Sequence, residues 1–517
     1  MSIEREAKLA AGPDVVLPDL RNVVPGLAVG PSTFRHLDAV YYDTRDLALA
    51  RSGVTLRSRT GEPGPTWTVK FPDGDDGPVL SRREITFDGA PGKVPPAALD
   101  LVRAARRTQA LGPVARVRTT RTEFTLIGDT GPVVTVCDDV VSAESADVEA
   151  FVFREVEVEL AGDGEGKGKG KGKGKGKGKG DEILGLVVGR LHEAGCRAEK
   201  RTVPKVVRAL GERALADPDV VVGDIPKKAA VGELVTATFA RSVSQLIRFD
   251  PGVRLGTDPE DLHLFRVATR RLRSDLRTFG PLLDPTWSTA LRAELRWLDS
   301  TVGAARDIDV LRIRLEARVA DLPRDDATSG RRLLSRLEEE RGVARGRMLA
   351  MLSSERYGAI LDSMVAAANA PLFAAEPAGL AALPARAPLA DLVRKPWHRL
   401  QRSAEALTRD AGDEDLHRVR ILAKRCRYCA EACAPLFGAE AEHLAERLAD
   451  VQTVLGDHQD AVVAEAWLRS AAKAVPSVRF AAGQLVAAEL CDRDLHRERF
   501  PKVWKKAAKP ALRSWLD

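Results

Sequence analysis

The chain has 517 residues, 44% hydrophobic and 30% charged, which suits two to four folded domains and excludes a peptide or a disulfide-stapled fragment. Its net charge is +6, but seven lysines belong to an alternating Lys-Gly run at 164–180 and the remainder sums to −1, so bulk charge singles out no partner. Aromatic residues are only 5%, the N-terminus lacks a signal-type apolar core, no window nears ~18 apolar residues, and six scattered cysteines suit a reducing compartment; the expectation is a cytoplasmic protein.

From residue 1 to about 160 the apolar pattern has period two, as in Thr66–Phe71, Val133–Cys137 and Phe151–Leu160. An antiparallel β domain is expected, with helices near Pro95–Ala110 and Glu182–Ala194. The Lys-Gly run has no apolar residue and is read as an extended basic insertion. A linker is expected at 212–230, between a first domain at 1–211 and a second at 231–517. The second is helical almost throughout, with breaks at Gly280-Pro281, Leu322-Pro323, 371–388, Pro435 and Pro476.

The helical part contains a repeat. His263, Arg266, Arg270, Arg271 and Arg273 recur 154 residues later as His417, Arg420, Lys424, Arg425 and Arg427. About forty residues after each copy a matching segment follows, Val302-Gly303 to Asp307 and Leu455-Gly456 to Asp460, which reads as a turn. Two helical halves related by duplication, about 231–375 and 388–517, are the economical reading.

Alternation in the β domain gives several strands one charged face. Glu4, Glu6 and Lys8 share a face, as do Glu155, Glu157 and Glu159, Arg57 and Arg59, Thr68 and Lys70, Arg82 and Glu84, and Arg116 and Arg118. Carboxylates on two strands and cations on at least four are what holds a divalent metal beside a phosphate chain.

These residues resemble the CYTH, or triphosphate tunnel metalloenzyme, superfamily. The resemblance rests on Glu4-x-Glu6-x-Lys8, Tyr41-Tyr42-Asp43-Thr44, Leu49, Gly53, Arg57-Ser58-Arg59, Trp67 to Lys70, Arg82 to Glu84, Glu155 to Glu159, and Pro204 to Leu210. It implies an eight-stranded antiparallel tunnel barrel with flanking helices that hydrolyses triphosphate with Mg²⁺ or Mn²⁺. By resemblance Glu4, Glu6 and Lys8 form the catalytic core and Glu4, Glu6, Glu157 and Glu159 ligate metal. Lys8, Arg57, Arg59, Lys70, Arg82 and Lys205 bind triphosphate, with Arg116, Arg118, Asp138 and Glu155 as second choices.

On a helix Arg266, Arg270, Arg273 and Arg277 fall within about 60° of one another, with His263 one turn before. The second copy repeats the stripe with Glu431 in place of Arg277, and no acidic i,i+4 partner is interleaved to neutralise the face, so it reads as anion-binding. These residues resemble the CHAD family, built from two four-helix bundles and associated with inorganic polyphosphate. The resemblance implies polyphosphate binding by His263, Arg266, Arg270, Arg273, His417, Arg420, Lys424 and Arg427, and association with polyphosphate granules. For His263 and His417, a helix-start hydrogen bond and phosphate contact stand level. Cys426, Cys429 and Cys433 read as core, and the tail lysines 502–509 as a solvated face.

The fold expected is thus α+β and multidomain, a β tunnel followed by duplicated all-α bundles. The leading function is metal-dependent hydrolysis of inorganic triphosphate, with polyphosphate held by the helical domain. Nucleotide cyclisation, thiamine triphosphate hydrolysis and a non-catalytic polyphosphate binder are the alternatives; nucleic acid is disfavoured because no aromatics alternate with the basic stripe.

Overall fold

The computed structural model describes residues 2–72, 80–129, 131–160, 175–198, 203–375, 379–408 and 410–516, without the side chains of 2–4, 80, 175–179 and 387. The chain divides into two compact units, Met1–Asp219 and Val220–Asp517. Residues 212–219 of the expected linker belong to the first: Asp219 pairs with Arg51 and Arg107, and Arg51 donates to the Asp217 carbonyl at 2.9 Å.

The first unit contains β1 (Ser2–Ala10), β2 (Ala28–Val29), β3 (Thr33–Asp43), β4 (Thr55–Thr60), β5 (Trp67–Pro72), β6 (Leu80–Phe87), β7 (Gly112–Gly128), β8 (Gly131–Ser145), β9 (Phe151–Leu160) and β10 (Arg197–Ala198). The order β1-β6-β5-β4-β3-β7-β8-β9 closes through antiparallel pairing of β9 with β1, an eight-stranded barrel, while β2 and β10 pair with β7 and β1. Closure satisfies both edges of every long strand and gives each an inside and an outside of opposite parity.

The outside is covered unevenly. Helix α4 (Lys175–Glu193; α1–α3 being Ala48–Arg51, Pro96–Leu101 and Arg103–Arg106) lays Leu184, Val187 and Leu191 over Ala7, Leu9, Val134, Val136, Val156 and Val158. The apolar alternates of β1, β8 and β9 therefore face a helix, and their acidic alternates face the lumen. The helix begins earlier than expected, at Lys175 within the Lys-Gly run, and the rest of the run, up to 174, lies outside the described residues. Helix α5 (Lys205–Leu210) plugs one end of the barrel with Val206, Val207, Ala209 and Leu210 against Ala39, Tyr41, Val117 and Val141.

The second unit is helical: α6 (Val231–Leu255), α7 (Pro259–Thr278), α8 (Pro285–Ala320), α9 (Arg324–Leu352), α10 (Glu355–Asn369), α11 (Arg386–Glu405), α12 (Asp413–Phe437), α13 (Ala439–Ala474) and α14 (Arg479–Ala507). Starts follow local chemistry; Asp258 and Asp284 cap α7 and α8, with Pro259 and Pro285 next. Pro435 lies in the last turn of α12 rather than breaking it, and the break falls at Gly438, φ +66°.

The duplicated halves interlock. The core of the second joins α11, α12, the first half of α13 and the end of α14 through Trp397, Leu400, Val419, Leu448, Phe500 and Trp504. A further core joins the second half of α8 and the start of α9, from one half, to the second half of α13 and the start of α14 from the other, through Leu315, Val319, Leu333, Leu468, Ala482 and Leu485. That sharing requires α8 and α13 to run 36 residues each, about 54 Å. Gly303 and Gly456 accordingly lie in mid-helix, and the turns expected there are corrected to continuous helix.

Candidate functional site

The barrel encloses a cavity of about 350 Å³ lined by seven basic side chains, Lys8, Arg57, Arg59, Lys70, Arg82, Arg121 and Lys205, and four carboxylates, Glu6, Glu84, Glu157 and Glu159. All but Lys205, which α5 supplies, come from inward strand alternates. In the register, Lys8 stands opposite Glu157 and Glu6 opposite Glu159; Arg57 faces Thr68 and Lys70 faces Glu84. The backbone of Glu4 pairs with that of Arg82, and its side chain lies outside the described residues.

The Tyr41–Thr44 signature positions one wall. Asp43 is buried and its carboxylate accepts from the amides of Thr44 at 2.7 Å and of Leu49 and Ala50 at 2.9 Å each, which fixes the turn of α1 before β4 delivers Arg57 and Arg59. Gly53, at φ +72°, offers its carbonyl to Arg82 at 2.7 Å. Pro204 starts α5, and the plug then aims Lys205 into the lumen.

At and behind the opposite wall, carboxylate oxygens of Asp139, Glu155 and Glu157 lie within 4.8 Å of one another, all buried, and of the three Glu157 lines the cavity. Lys205 Nζ reaches the three at 2.7, 2.9 and 2.9 Å. Lys8 pairs with Glu157 and stands 3.3 Å from Glu6 and 3.8 Å from Glu155, while Arg121 bridges Asp139 and Glu157 at 2.6 and 2.7 Å. Burial alone would raise the Glu157 carboxyl, but Lys205, Lys8 and Arg121 hold it well below the carboxylate range. Burial likewise opposes charge on Lys8, and Glu157, Glu6 and Glu155 override it, raising that ammonium well above its usual value.

The cationic wall shows the reverse balance. Burial and then Arg57 press the Arg59 guanidinium down, and Arg59 Nε is buried with no acceptor among the described residues. Arg57 and then Lys205 and Arg59 lower the buried Tyr41 phenol against the burial that would raise it. Lys70 pairs with Glu84 at 2.9 Å. A bound anion would relieve this crowding.

A divalent cation would find a set of hard oxygen donors at Asp139, Glu155 and Glu157, suited to Mg²⁺ or Mn²⁺. That the Lys205 ammonium fits between them at hydrogen-bond distance shows that they converge on one cation, and Glu155 Oε1, 2.9 Å from that ammonium, makes no hydrogen bond among the described residues. The residues fit the metal. Of the carboxylates expected from sequence, Glu157 is in this cluster and Glu6 and Glu159 line the cavity beside it; Glu155 is fully in the cluster.

Three second-choice residues are corrected. Arg116 and Arg118 are half exposed and pair outside with Asp38 and, at 3.2 Å, Glu144; Asp138 pairs with Arg154 at 2.8 Å. Strand parity is the reason: Val117, Thr119 and Arg121 take the inward positions of β7, and Asp139 that of β8. Arg121 and Asp139 were missed. For Asp139 a signal existed, since Val134 and Val136 share the parity of Asp138 and mark it as the helix-covered face. For Arg121 the signal is inverted, because the outer face of β7 there meets water while the plugged end inside is apolar.

In the helical unit α7 packs on α12, and the two basic stripes meet. They are less bare than expected: Arg266 pairs with Asp307 at 2.7 Å, Arg273 with Asp299, and Arg427 with Glu431 at 3.3 Å. Two of the three carboxylates come from α8, which i,i+4 reasoning within one helix does not see; the third, Glu431, is the i+4 partner of Arg427, so the expected absence of acidic i,i+4 partners is corrected there. Arg270, Arg420 and Lys424 have no carboxylate within 4 Å among the described residues. Burial and then Arg266 lower the Arg270 guanidinium, with Arg420 adding to the repulsion. A Cβ on Gly303 would stand 3.3 Å from Arg266 Nη2, and one on Gly456 3.6 Å from Arg420 Nε; both glycines let a guanidinium lie against a helix backbone. Burial lowers the His263 imidazole, and His417 Nδ1 is buried without a hydrogen bond among the described residues. Cys426, Cys429 and Cys433 are buried free thiols, and burial raises all three.

Residues 2–175 match the CYTH domain family and residues 237–469 the CHAD domain family. An uncharacterized protein of Mycobacterium tuberculosis, found in two strains, is 31% identical over 479 residues, covering 89% of this chain and 87% of its own. Among solved structures, PptA from Streptomyces chartreusis is 26% identical, with 54% of this chain and 100% of that one covered and a TM-score of 0.45. The CHAD domain from the plant Ricinus communis is also 26% identical, with 56% and 96% covered and a TM-score of 0.47. Among the described residues no helix is long and apolar enough to cross a membrane.

Proposed function

The chain belongs to the family that joins a CYTH triphosphate-tunnel domain to a CHAD domain, and from that premise we propose that the tunnel hydrolyses inorganic triphosphate with a divalent cation while the helical unit binds inorganic polyphosphate. The observation that carries the reading is the two-walled cavity, with cations crowded on one side and converging carboxylates on the other. Arg57, Arg59, Lys70 and Arg82 hold the phosphate chain through charge-assisted hydrogen bonds. Asp139, Glu155 and Glu157, with Glu6 and Glu159 beside them, hold the metal, which when bound neutralises charge on the phosphoryl oxygens. Lys8 and Lys205 then turn from carboxylate to phosphate, and a remaining carboxylate orients water for attack, releasing orthophosphate and pyrophosphate.

Tyr41 is the one aromatic ring lining the cavity among the described residues, and it is buried beside Arg57 rather than presented as a stacking platform. That supports an inorganic substrate over a nucleoside or thiamine triphosphate. In the helical unit the groove where α7 meets α12, carrying Arg266, Arg270, Arg273, Arg420, Lys424 and Arg427, takes long polyphosphate, with His263 and His417 one turn before Arg266 and Arg420. The test is phosphate release by the full chain with Mg²⁺ or Mn²⁺ on triphosphate, ATP, thiamine triphosphate and long polyphosphate side by side. Triphosphate should be fastest; ATP or thiamine triphosphate leading would replace the substrate, and no release from any would leave a polyphosphate-binding protein.

A further inference from the structure

The repeat offset of 154 makes Arg271 equivalent to Arg425 and Arg277 equivalent to Glu431. Exchanging the two copies therefore maps the ion pair Arg271–Glu431, which crosses from α7 to α12, onto Arg425 facing Arg277. The same helix pair is pinned by Thr278 Oγ1 against Cys429 Sγ at 3.1 Å, one residue from Arg277 and one turn from Arg425. One flank of the pair is thus neutralised: Glu431 holds Arg271 and Arg427, and Arg271, Lys424 and Arg427 lie 5.8, 5.7 and 4.9 Å from the Tyr428 ring.

The other flank sets arginine against arginine. Burial and then Arg277 press the Arg425 guanidinium down, with Arg399 and Arg292 adding to it; burial and then Arg277, Arg296 and Arg273 do the same to Arg292. Four helices contribute, α7, α8, α11 and α12. Among the described residues none of Arg277, Arg292, Arg296, Arg399 and Arg425 has a carboxylate within 4 Å, and Arg425 Nε is buried without an acceptor. Of the five, Arg399 also lines a cavity of about 540 Å³ between α11 and α12.

We propose that this flank is a second oxyanion site of the helical unit, with Arg277 and Arg425 gripping a phosphate-class anion where the other flank has Glu431. Arg277 continues the stripe of Arg266, Arg270 and Arg273, and Arg425, Arg292, Arg296 and Arg399 extend the site beyond the residues assigned to polyphosphate. Guanidinium forks from two helices can share one tetrahedral dianion, each giving paired N–H donors. The anion is either a small phosphate or one phosphoryl unit of a longer chain.

The test exploits the repeat. Arg277→Glu recreates the Glu431 arrangement, so without ligand it should raise the melting temperature of the helical unit, and in calorimetric titration of the full chain with pyrophosphate it should remove one binding site. Arg277→Gln should weaken that site about tenfold, and Arg270→Gln with Arg420→Gln should leave it in place. A several-fold loss of long-chain polyphosphate affinity in Arg277→Glu would identify the occupant as part of the chain; unchanged polyphosphate affinity with the pyrophosphate site lost would identify a small free anion. An unchanged number and affinity of pyrophosphate sites in Arg277→Glu would overturn the proposal whether or not the groove binds polyphosphate.

Discussion

Replacing Lys205 with methionine removes the ammonium that ties Asp139, Glu155 and Glu157 together at 2.7 to 2.9 Å, and it tests whether those carboxylates are a cation cage or only a structural ion cluster. Four carboxylates, counting Glu6, would then face two cations, Lys8 and Arg121. Leaving a buried charge without its partner costs about 3–5 kcal/mol, and methionine keeps the stem of the side chain, so little of that loss is packing. In metal-free buffer, hydrogen exchange in Phe151–Leu160 should speed up by about a hundred- to several-thousand-fold. Mg²⁺ at a hundred times its dissociation constant should restore about 2.7 kcal/mol in the variant, and less in the natural protein, where it must displace Lys205. Lowering the pH should also help the variant. An uncompensated carboxyl has its folded value raised above the unfolded one, so it favours the fold while protonated and loses that contribution as the pH rises. Equal gains from Mg²⁺ in both proteins, or no loss in metal-free Lys205→Met, would refute the cage.

Arg121→Gln should lower triphosphate turnover at least tenfold, whereas Arg116→Gln and Arg118→Gln should stay within twofold, because only Arg121 reaches the lumen; steady-state kinetics decide. Mn²⁺ and triphosphate should bind cooperatively, since phosphate draws Lys8 and Lys205 off the carboxylates; the free Mn²⁺ signal in electron paramagnetic resonance should fall further with a non-hydrolysable triphosphate present. Gly456→Ala should stabilise the helical unit by up to about 1 kcal/mol because its Cβ meets Arg420 at ordinary contact distance, while Gly456→Leu should displace that guanidinium and weaken polyphosphate binding several-fold. Asp275 is fully buried and burial raises its carboxyl to about 7, against the lowering by Arg271 and Ser242. Its folded form thus keeps a proton the unfolded chain has lost between about pH 4 and 7. Stability from this group falls with rising pH across that window, and Asp275→Asn should raise the melting temperature at pH 8 but not at pH 4.

What could be read from the sequence followed wherever one face of an element meets protein. Glu155, Glu157 and Glu159 were legible as a lumen face because Val156 and Val158 needed a cover, and α4 supplies it. Arg116 and Arg118 misled because polarity outside and polarity inside look alike on a strand whose outer face is wet. In the helices, the stripes at Arg266 and Arg420 were legible from period and duplication alone, but the partners Asp299 and Asp307 were not, since they lie on α8 and only tertiary packing brings them in. The glycines at 303 and 456 were misread as turns for a related reason. Mid-helix glycine costs about 1 kcal/mol and signals a break until the guanidinium it accommodates is seen.

The tunnel is an expensive way to build a barrel. A closed sheet of this size packs well around apolar side chains, and exchanging buried ion pairs for such residues is commonly neutral or stabilising. Here Asp139, Glu155, Glu157, Lys8, Lys205 and Arg121 are instead interleaved so that each charge has a partner, and removing any one strands another. Such a lattice holds its geometry without ligand yet stays exchangeable, because an incoming cation can take the place of an ammonium and an incoming phosphate can take the place of a carboxylate. The exchange conserves the number of satisfied charges on both walls, so a metal with triphosphate can enter together at little electrostatic cost while either alone leaves one wall uncompensated. On the proposed function, that difference, rather than shape, is what would let a cavity lined by charge take a metal–triphosphate pair in preference to free metal or free phosphate.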